Sequence, residues 1–256
     1  MYEDYLLPNI SNEAAVELIK DKVASKTPFA FTRFGDGELA VINRNGYPKF
    51  EERICKEWGY KYPEQLKEVY ETAGSILKES FIKSDLIGLM DPKCQIINLN
   101  YNPVHWSLTK EFVKNWGVDV DTIKVCDHML SRNKIFGAVP SMREIIQGQD
   151  VHIITPNVER LKQRKIDELL GVDVTYTLHP FSINFNNRKE LMDSFSEIKA
   201  PIVLIGISLQ KDYGVYLRDN HQKIVFDMGA TLDAWSGILS RHWFDKGGKQ
   251  EYLTIF

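Results

Sequence analysis

Short, continuous apolar runs alternate with helix-like segments along most of this chain. A run such as Ile202-Val203-Leu204-Ile205 lacks the polar residue at every second position that a half-exposed strand would carry. Strands of this kind are covered on both faces, as in a parallel sheet. We therefore expect strands at Pro28–Phe34, Leu86–Met90, Ile96–Leu99, Ile123–Cys126, Val151–Thr155, Val172–Thr177, Ile202–Ile207 and Ile224–Met228.

Helical periodicity between these runs predicts the second component of the fold. The clearest helix begins at Pro63, a residue that fits the first helical position. Helices are expected at Ser11–Ser25, Pro63–Phe81, Val104–Trp116, Ser141–Gln147, Asn157–Leu170, Arg188–Ile198 and Gln210–Asn220. Alternating strands and helices indicate right-handed crossovers and an α/β fold. We predict a mostly parallel, doubly wound, Rossmann-like sheet with helices on both faces.

The length of 256 residues suits one domain over 1–256, with an irregular arm at 1–10 and a tail at 238–256. A net charge of −3 counts against non-specific nucleic-acid binding but leaves room for a local basic cleft. The three cysteines, Cys55, Cys94 and Cys126, form no CxxC pair and suit the reduced thiols of a cytoplasmic protein. We find no signal peptide and no apolar run long enough to span a membrane.

A glycine-rich acidic segment follows the first predicted strand. Ligands of open α/β sheets bind beyond the carboxyl ends of strands, so this position favours a site. Gly35 and Gly37 flank Asp36 and allow a sharp turn, so that Asp36 and Glu38 could converge on Mg²⁺ or Mn²⁺. Arg33 could bind phosphate. The structural alternative is a tight turn with Glu38 in the first turn of a helix, where the helix dipole favours it.

Three other predicted strands are followed by polar residues. Gly206 and Ser208 would open a helix whose free N–H groups suit a phosphate, or Ser208 would simply cap it. Asp227 or Asp233 could be the general base that deprotonates an acceptor hydroxyl, and Glu38 also competes for that role. His128 could be a base or an acceptor ligand, and a structural histidine is the alternative.

Several further features have a structural reading beside a functional one. Asp119 and Asp121 form a literal DxD, but they precede a strand and should lie at the amino end of the sheet. A basic cluster on one predicted helix is either a solvated face or a contact for a phosphate-bearing acceptor; it comprises Arg160, Lys162, Arg164 and Lys165. Three aromatic residues could stack on a sugar or base, or belong to the core: Trp106, Tyr213 and Trp235.

The segment from Thr32 to Glu38 resembles the Arg-[Phe/Tyr]-Gly-Asp-Gly-Glu signature of the GT-D-type glycosyltransferases. Shorter resemblances follow at Ser131-Arg132, at Ile205-Gly206-Ile207-Ser208 and at Phe226-Asp227-Met228-Gly229. Together they span about residues 27 to 237. The chain departs from the family in the Asn157–Leu170 region, which lacks the glycine-rich segment expected there. Ile207-Ser208 replaces Pro-Thr, and Asp233 with Trp235 replaces an acidic, aromatic-rich ending.

The resemblance implies a metal-dependent glycosyltransferase that uses a nucleoside diphosphate sugar, with a UDP-sugar favoured, and a glycan or glycoconjugate acceptor. Its DxE motif would place a Mn²⁺ or Mg²⁺ ion on Asp36 and Glu38, and the catalytic residues would be Asp36, Glu38 and Asp227. The donor would be bound by Arg33, Gly35, Gly37, Ser131, Arg132, Gly206 and Ser208. Two alternatives remain: a glycosyltransferase that acts on modified DNA bases, and a non-catalytic nucleotide- or glycan-binding module of the same fold.

Overall fold

The computed structural model describes residues 3–43, 63–90, 107–179, 188–207 and 210–238. Its strands within these ranges are β1 (Phe29–Phe34), β2 (Leu86–Leu89), β3 (Val125–Asp127), β4 (Val151–Thr155), β5 (Val174–Leu178), β6 (Ile202–Ile205) and β7 (Ile224–Asp227). The strand predicted at Ile96–Leu99 lies outside the described residues.

The described strands form one seven-stranded sheet in the order β3-β2-β1-β7-β6-β4-β5. Every described strand pair is parallel. The predicted parallel, doubly wound α/β sheet is therefore confirmed. From β1 the chain adds β2 and β3 on one side, and the later strands fill the other side. The order of the strands thus reverses between β1 and β7.

Helices cover both faces of this sheet. They are α1 (Asn12–Ala24), α2 (Asp36–Asn43), α3 (Pro63–Lys83), α4 (Lys110–Lys114), α5 (Val139–Ile146), α6 (Val158–Gln163), α7 (Ile166–Leu170), α8 (Arg188–Ser194), α9 (Asp212–His221) and α10 (Ala230–Trp235), with 3₁₀ turns at His128–Arg132 and Phe195–Glu197. Phe29 and Phe31 of β1 pack in one core cluster with α1, α5, α7 and α10. Phe34 packs on the opposite face with α2, α3 and α4. Residues of β1 therefore alternate between two cores, as the continuous apolar run predicted.

The region predicted as one helix at Asn157–Leu170 is broken, and that prediction was wrong in this respect. Lys165 adopts a left-handed conformation with φ of 53°, which separates α6 from α7. The break turns Ile166 and Leu170 into the core and leaves Leu169 40% exposed.

The segment before α1 covers the edge of the sheet at β3. Asn9 accepts the Val125 N–H through its side chain at 2.8 Å and donates its own N–H to the Val125 carbonyl at 2.8 Å. Its side-chain amide also donates to the Ile123 carbonyl at 2.8 Å. These bonds satisfy edge groups of β3 that would otherwise need water. None of the helices in the described ranges has the length and apolar character needed to cross a bilayer.

Candidate active site

The carboxyl ends of all seven described strands lie at one edge of the sheet, because the strands are parallel. In such sheets ligands bind beyond this edge, at the point where the strand order reverses. Here that point lies between β1 and β7. The segment that follows β1 carries Glu38, and Asp227 is the last residue of β7.

Arg33 connects the ends of three strands. Its side chain is buried in β1, donates from Nε to the His128 carbonyl at 3.0 Å and from Nη1 to the Met228 carbonyl at 3.2 Å. Its main-chain N–H donates to Asp227 Oδ2 at 3.0 Å. A β-carbon at Gly88 would come within 3.1 Å of Arg33 Cγ, so the neighbouring strand leaves room for this side chain. These hydrogen bonds hold the segments that follow β3 and β7 against β1. The phosphate-binding role of Arg33 stays a prediction.

Helix α2 begins directly after Gly35. Glu38 Oε2 accepts the Gly35 N–H at 3.0 Å, which is the reciprocal contact of a capping box. Glu38 therefore lies in the first turn of α2, as the structural alternative predicted. Its side chain also has contacts outside this turn. A β-carbon at Gly37 would meet no atom of the described residues within 4 Å, so they leave open space at this position in the first turn of α2. Asp36 begins α2, and its side chain lies outside what the structure describes.

Lys211 joins Glu38 to Asp227. Its Nζ lies 3.2 Å from Glu38 Oε1 and 2.7 Å from Asp227 Oδ2. The side chains are nearly inaccessible, with exposed fractions of 5% for Lys211, 13% for Glu38 and 7% for Asp227. Lys211 Nζ also lies 3.5 Å from the Ile207 carbonyl. The result is a buried carboxylate–ammonium–carboxylate bridge between the ends of β1 and β7.

The charges of this bridge reinforce one another. Burial by itself would raise the pKa of Glu38, but the Lys211 ammonium, a hydrogen bond from its own main-chain N–H and the Arg33 charge outweigh it and hold that pKa below the usual glutamate value. Burial likewise would lower the pKa of Lys211, and the carboxylates of Asp227 and Glu38 raise it above the usual lysine value. Glu38 is therefore ionised and Lys211 is protonated at neutral pH.

Asp227 has two different carboxylate oxygens. Oδ2 receives both the Lys211 ammonium and the Arg33 N–H. Oδ1 is buried and has no hydrogen-bond partner among the described residues. An unsatisfied buried acceptor is costly, and at a sheet edge of this kind it points to a ligand that donates a hydrogen bond or supplies a cation.

The segment that follows β3 forms a 3₁₀ turn beside Arg33. Asp127 Oδ1 caps this turn at the Met129 N–H at 2.9 Å and lies 3.1 Å from His128 Nδ1. Burial is the largest influence on His128 and lowers its pKa despite the adjacent Asp127, so the imidazole is neutral at pH 7. His128 is thus a buried, structural histidine, and its carbonyl accepts a hydrogen bond from Arg33.

The predicted pair Ser131 and Arg132 closes the same turn. Ser131 is fully buried, its carbonyl accepts the Thr231 hydroxyl at 2.7 Å, and its Oγ has no partner among the described residues. Arg132 is half-buried, and its Nη1 contacts Met129 Sδ at 3.5 Å. Both residues lie at the correct edge of the sheet, and their donor-binding role stays a prediction.

Gly206 after β6 and Asp233 in α10 make packing and hydrogen-bond contacts, and the donor-binding role of Gly206 and Ser208 stays a prediction. A β-carbon at Gly206 would lie 2.8 Å from Leu232 Cδ1, so this glycine permits α10 to pack closely. Helix α9 begins at Asp212 rather than at Gln210, and Ser208 lies outside the described residues. Asp233 Oδ1 accepts a hydrogen bond from Asn157 Nδ2 at 2.7 Å. Asp227, and not Asp233, belongs to the bridge with Glu38 and Lys211.

The remaining candidates lie away from this bridge or outside the described residues. Asp119 and Asp121 are exposed in a turn that precedes β3, at the amino end of the sheet as expected. Tyr213 and Trp235 are fully buried, and Trp235 Nε1 donates to the Gly137 carbonyl at 2.9 Å. Trp106 lies outside the described residues. The two described aromatic candidates therefore belong to the core.

Sequence reasoning missed Lys211. A lysine at the start of a helix ordinarily lies at the surface, and only the folded arrangement brings it between Glu38 and Asp227. Its one sequence signal is its position shortly after a continuous apolar strand, at the carboxyl edge where ligands bind.

The fit of a divalent cation depends on the acidic residues near this bridge. In the part of the chain that the structure describes, no group of three or more His, Cys, Asp and Glu side chains is arranged to hold a metal ion. Glu38 is ionised at the first turn of α2, next to Asp36, and Asp227 Oδ1 is an unpaired acceptor. Carboxylate oxygens are ligands that Mg²⁺ and Mn²⁺ prefer, but Glu38 Oε2 already accepts the Gly35 N–H and Glu38 Oε1 lies 3.2 Å from Lys211 Nζ. The cation site on Asp36 and Glu38 therefore stays a prediction.

The structure defines a doubly wound α/β protein with a buried cluster of charged side chains at its switch point. The chain belongs to the GT-D-like family, because the model of that family, a GT-D fold-like domain, matches residues 10–235. The comparison with curated proteins gives no significant match.

Solved structures share the fold. One, described as the highly conserved domain of unknown function 1792 with a distinct glycosyltransferase fold, has a TM-score of 0.59 and 17% identity over 94% of this chain and 83% of that chain. Another, described as a new glycosyltransferase (DUF1792) from Streptococcus sanguinis, has a TM-score of 0.56 and 14% identity over 91% of this chain and 84% of that chain. Family and fold together support a glycosyltransferase.

Proposed function

We propose that this protein is a metal-dependent glycosyltransferase. It transfers a sugar from a nucleoside diphosphate sugar, with a UDP-sugar favoured, to a hydroxyl of a glycan or glycoconjugate. The observation that carries the proposal is the buried bridge of Glu38, Lys211 and Asp227 between the ends of β1 and β7. Membership of the GT-D-like family supplies the reaction class.

Asp227 is the proposed general base. Its buried Oδ1 has no hydrogen-bond partner among the described residues, whereas its Oδ2 is held by Lys211 and Arg33. In the proposed step the acceptor hydroxyl gives its proton to Oδ1 as its oxygen bonds to the anomeric carbon. The bond from that carbon to the diphosphate breaks at the same time, and the nucleoside diphosphate leaves with the electron pair. A direct displacement of this kind inverts the anomeric carbon.

Asp36 and Glu38 are the proposed ligands of a Mn²⁺ or Mg²⁺ ion. When bound, such an ion would neutralise the charge that develops on the leaving diphosphate. The open space at Gly37 lets the phosphates approach the first turn of α2, where backbone N–H groups favour anions. Arg132, Ser131 and the segment from Gly206 to Ser208 are further proposed donor contacts, because they follow strands that end at the same edge.

Turnover with defined donors tests this function. We expect release of the nucleoside diphosphate from one nucleotide sugar, dependent on Mn²⁺ or Mg²⁺ and stimulated by an acceptor. Asp227→Asn should slow release by about 10²–10⁴-fold, a loss that stays measurable, and keep donor binding, because asparagine has the same shape and is not a base. The matched control is Asp121→Asn in the exposed turn at the amino end of the sheet, which should leave turnover at the wild-type rate.

The alternatives give different results in the same assay. A non-catalytic binding module would bind a nucleotide sugar and release no product with any acceptor. A DNA-modifying enzyme would respond only to modified DNA. Two lysines of the basic cluster on α6 and α7 are paired, since Lys162 lies 3.1 Å from Glu159 and Lys165 lies 2.7 Å from Glu168, and this favours a solvated face over a contact with a phosphate-bearing acceptor.

A further inference from the structure

We propose that Lys211 is a positioning residue for sugar transfer: it ties Glu38 to Asp227 and presents Asp227 Oδ1 to the acceptor hydroxyl. This inference rests on the proposed glycosyltransferase function and adds a residue that the sequence motifs do not contain. It depends on three features of the structure: the fixed place of Lys211, the use of its hydrogen-bond donors, and the asymmetry of Asp227.

The place of Lys211 is fixed by the fold. It caps α9, which packs against α3, β1 and β7. Only 5% of its side chain is exposed, so the four-carbon stem is buried and the ammonium has little freedom to move. A buried ammonium is tolerated only when opposite charges and acceptors surround it.

The donors of the ammonium are used within the protein. An ammonium has three N–H groups, and the Lys211 nitrogen lies near three oxygens: Asp227 Oδ2 at 2.7 Å, Glu38 Oε1 at 3.2 Å and the Ile207 carbonyl at 3.5 Å. A lysine that served as a direct phosphate ligand would keep a donor pointed at the ligand space. Lys211 instead connects the two carboxylates, so its influence on the reaction passes through them.

The two carboxylate oxygens of Asp227 differ in their partners, and this difference gives the contact between Lys211 and Asp227 a chemical role. Lys211 and the Arg33 N–H both bind Oδ2, which fixes the plane of the carboxylate and leaves Oδ1 as the acceptor. Without Lys211, Asp227 and Glu38 would be two buried negative charges that have lost the ammonium between them, and the side-chain N–H groups of the nearby Arg33 donate to the His128 and Met228 carbonyls instead. They would repel each other, and Oδ1 would lose its fixed direction. Displacement of a catalytic group by about 1 Å can cost about 100-fold in rate.

The test compares Lys211→Met with Lys211→Arg and with Lys223→Met. Lys223 is a matched control, because it is half-buried at the amino end of β7, where its Nζ donates to the Lys199 carbonyl at 3.3 Å. For Lys211→Met we expect kcat to fall roughly 100-fold with an essentially unchanged Kd for the nucleoside diphosphate measured without metal. Lys211→Arg keeps the charge and should recover part of kcat. Lys223→Met should keep the wild-type kcat.

A double variant tests whether Lys211 acts through Asp227. Lys211→Met combined with Asp227→Asn should be no slower than the slower single variant, because the two residues act as one unit. The losses of melting temperature in the two single variants should likewise not add up in the double variant, and this measurement needs no turnover. Additive losses in both measurements would overturn the inference, as would a Lys211→Met variant with wild-type kcat.

The outcomes also separate this inference from the proposed function. If the wild type transfers no sugar from any donor, the proposed function fails before Lys211 is considered. If the wild type is active and Lys211→Met raises the Kd for the nucleoside diphosphate in proportion to its loss of rate, Lys211 is a phosphate ligand, and the positioning role is wrong.

Discussion

Gly229 lies directly against the guanidinium of Arg33. A β-carbon at position 229 would overlap Arg33 Nη1, and Gly229 adopts a positive φ of +51°. The turn after β7 therefore needs a glycine for two independent reasons, its backbone conformation and its contact with Arg33. This contact lets Arg33 reach the Met228 carbonyl and hold the segments that follow β3 and β7 against β1.

Gly229→Ala should destabilise the protein by about 2–4 kcal/mol, because backbone strain and steric overlap add together. Urea unfolding followed by circular dichroism measures this loss. Gly148→Ala is the matched control, because Gly148 also has a positive φ of +73° but a β-carbon there would meet no atom within 4 Å. The control should lose only the strain contribution, about 1 kcal/mol. Equal losses in the two variants would show that the contact with Arg33 is not tight.

Arg33→Lys should lower the free energy of unfolding by about 2–4 kcal/mol even though it keeps the charge. A lysine ammonium cannot reproduce the two guanidinium N–H groups that donate to the His128 and Met228 carbonyls, and both acceptors are buried. Thermal unfolding is the measurement, with Arg160→Lys on the exposed face of α6 as control. A stable Arg33→Lys protein that binds nucleotides weakly would instead favour the phosphate role predicted from the sequence.

Gly37→Ala separates stability from ligand binding. The site has room for a β-carbon, and alanine is a better helix residue than glycine, so stability should stay the same or rise by about 0.5–1 kcal/mol. If the diphosphate approaches this turn closely, the added methyl group should weaken donor binding. Calorimetric titration with the nucleotide gives the affinity. Wild-type affinity in a stable Gly37→Ala protein would place the donor elsewhere along the sheet edge.

His152 gives the protein a pH dependence that is independent of the candidate site. Burial, followed by the nearby Lys223 charge, lowers the pKa of His152 to about 4. Its ring nitrogens lie 2.7 Å from Thr175 Oγ1 and 2.9 Å from Thr177 Oγ1. Because the unfolded chain protonates this histidine near the ordinary histidine pKa of 6.5 and the folded chain does not, stability should fall as pH drops from about 6.5 to about 4.

The size of this effect can be tested with one variant. Lowering the His152 pKa from 6.5 to about 4 corresponds to about 3.5 kcal/mol at most, since one pKa unit equals about 1.4 kcal/mol. His152→Gln removes the titrating group and keeps a polar side chain that can bond to the threonines. Its free energy of unfolding should change less between pH 7 and pH 4 than that of the wild type. Identical slopes for the two proteins would contradict the assignment to His152.

The sequence predicted the framework of the fold because that framework depends on local patterns. The apolar run Ile202–Ile205 is β6, buried on both faces, and the capping role of Glu38 follows from its place three residues after Gly35. The break at Lys165 could not be predicted, since a lysine carries no local preference for a positive φ. Tertiary packing imposed that conformation to bury Ile166 and Leu170.

The candidate site was predictable only in part, for a related reason. Polar residues after strands identified Glu38 and Asp227, because parallel strands bring their carboxyl ends together. Their connection depends on Lys211, whose position between them is set by the packing of α9 on β1 and β7. No local pattern records a contact between segments so far apart in the chain.

Thermal melting with UDP, GDP, dTDP, CDP and their sugars, each with and without Mn²⁺, shows whether the protein holds a nucleoside diphosphate through a metal ion. A ligand at about 100 times its Kd stabilises by about 2.7 kcal/mol, which should raise the melting temperature of a chain this size by roughly 5–10 °C. The account predicts such a shift with one nucleotide, dependent on Mn²⁺, lost in Asp36→Ala and kept in Asp121→Ala. A folded wild-type protein that shows no shift with any of these ligands would contradict the account.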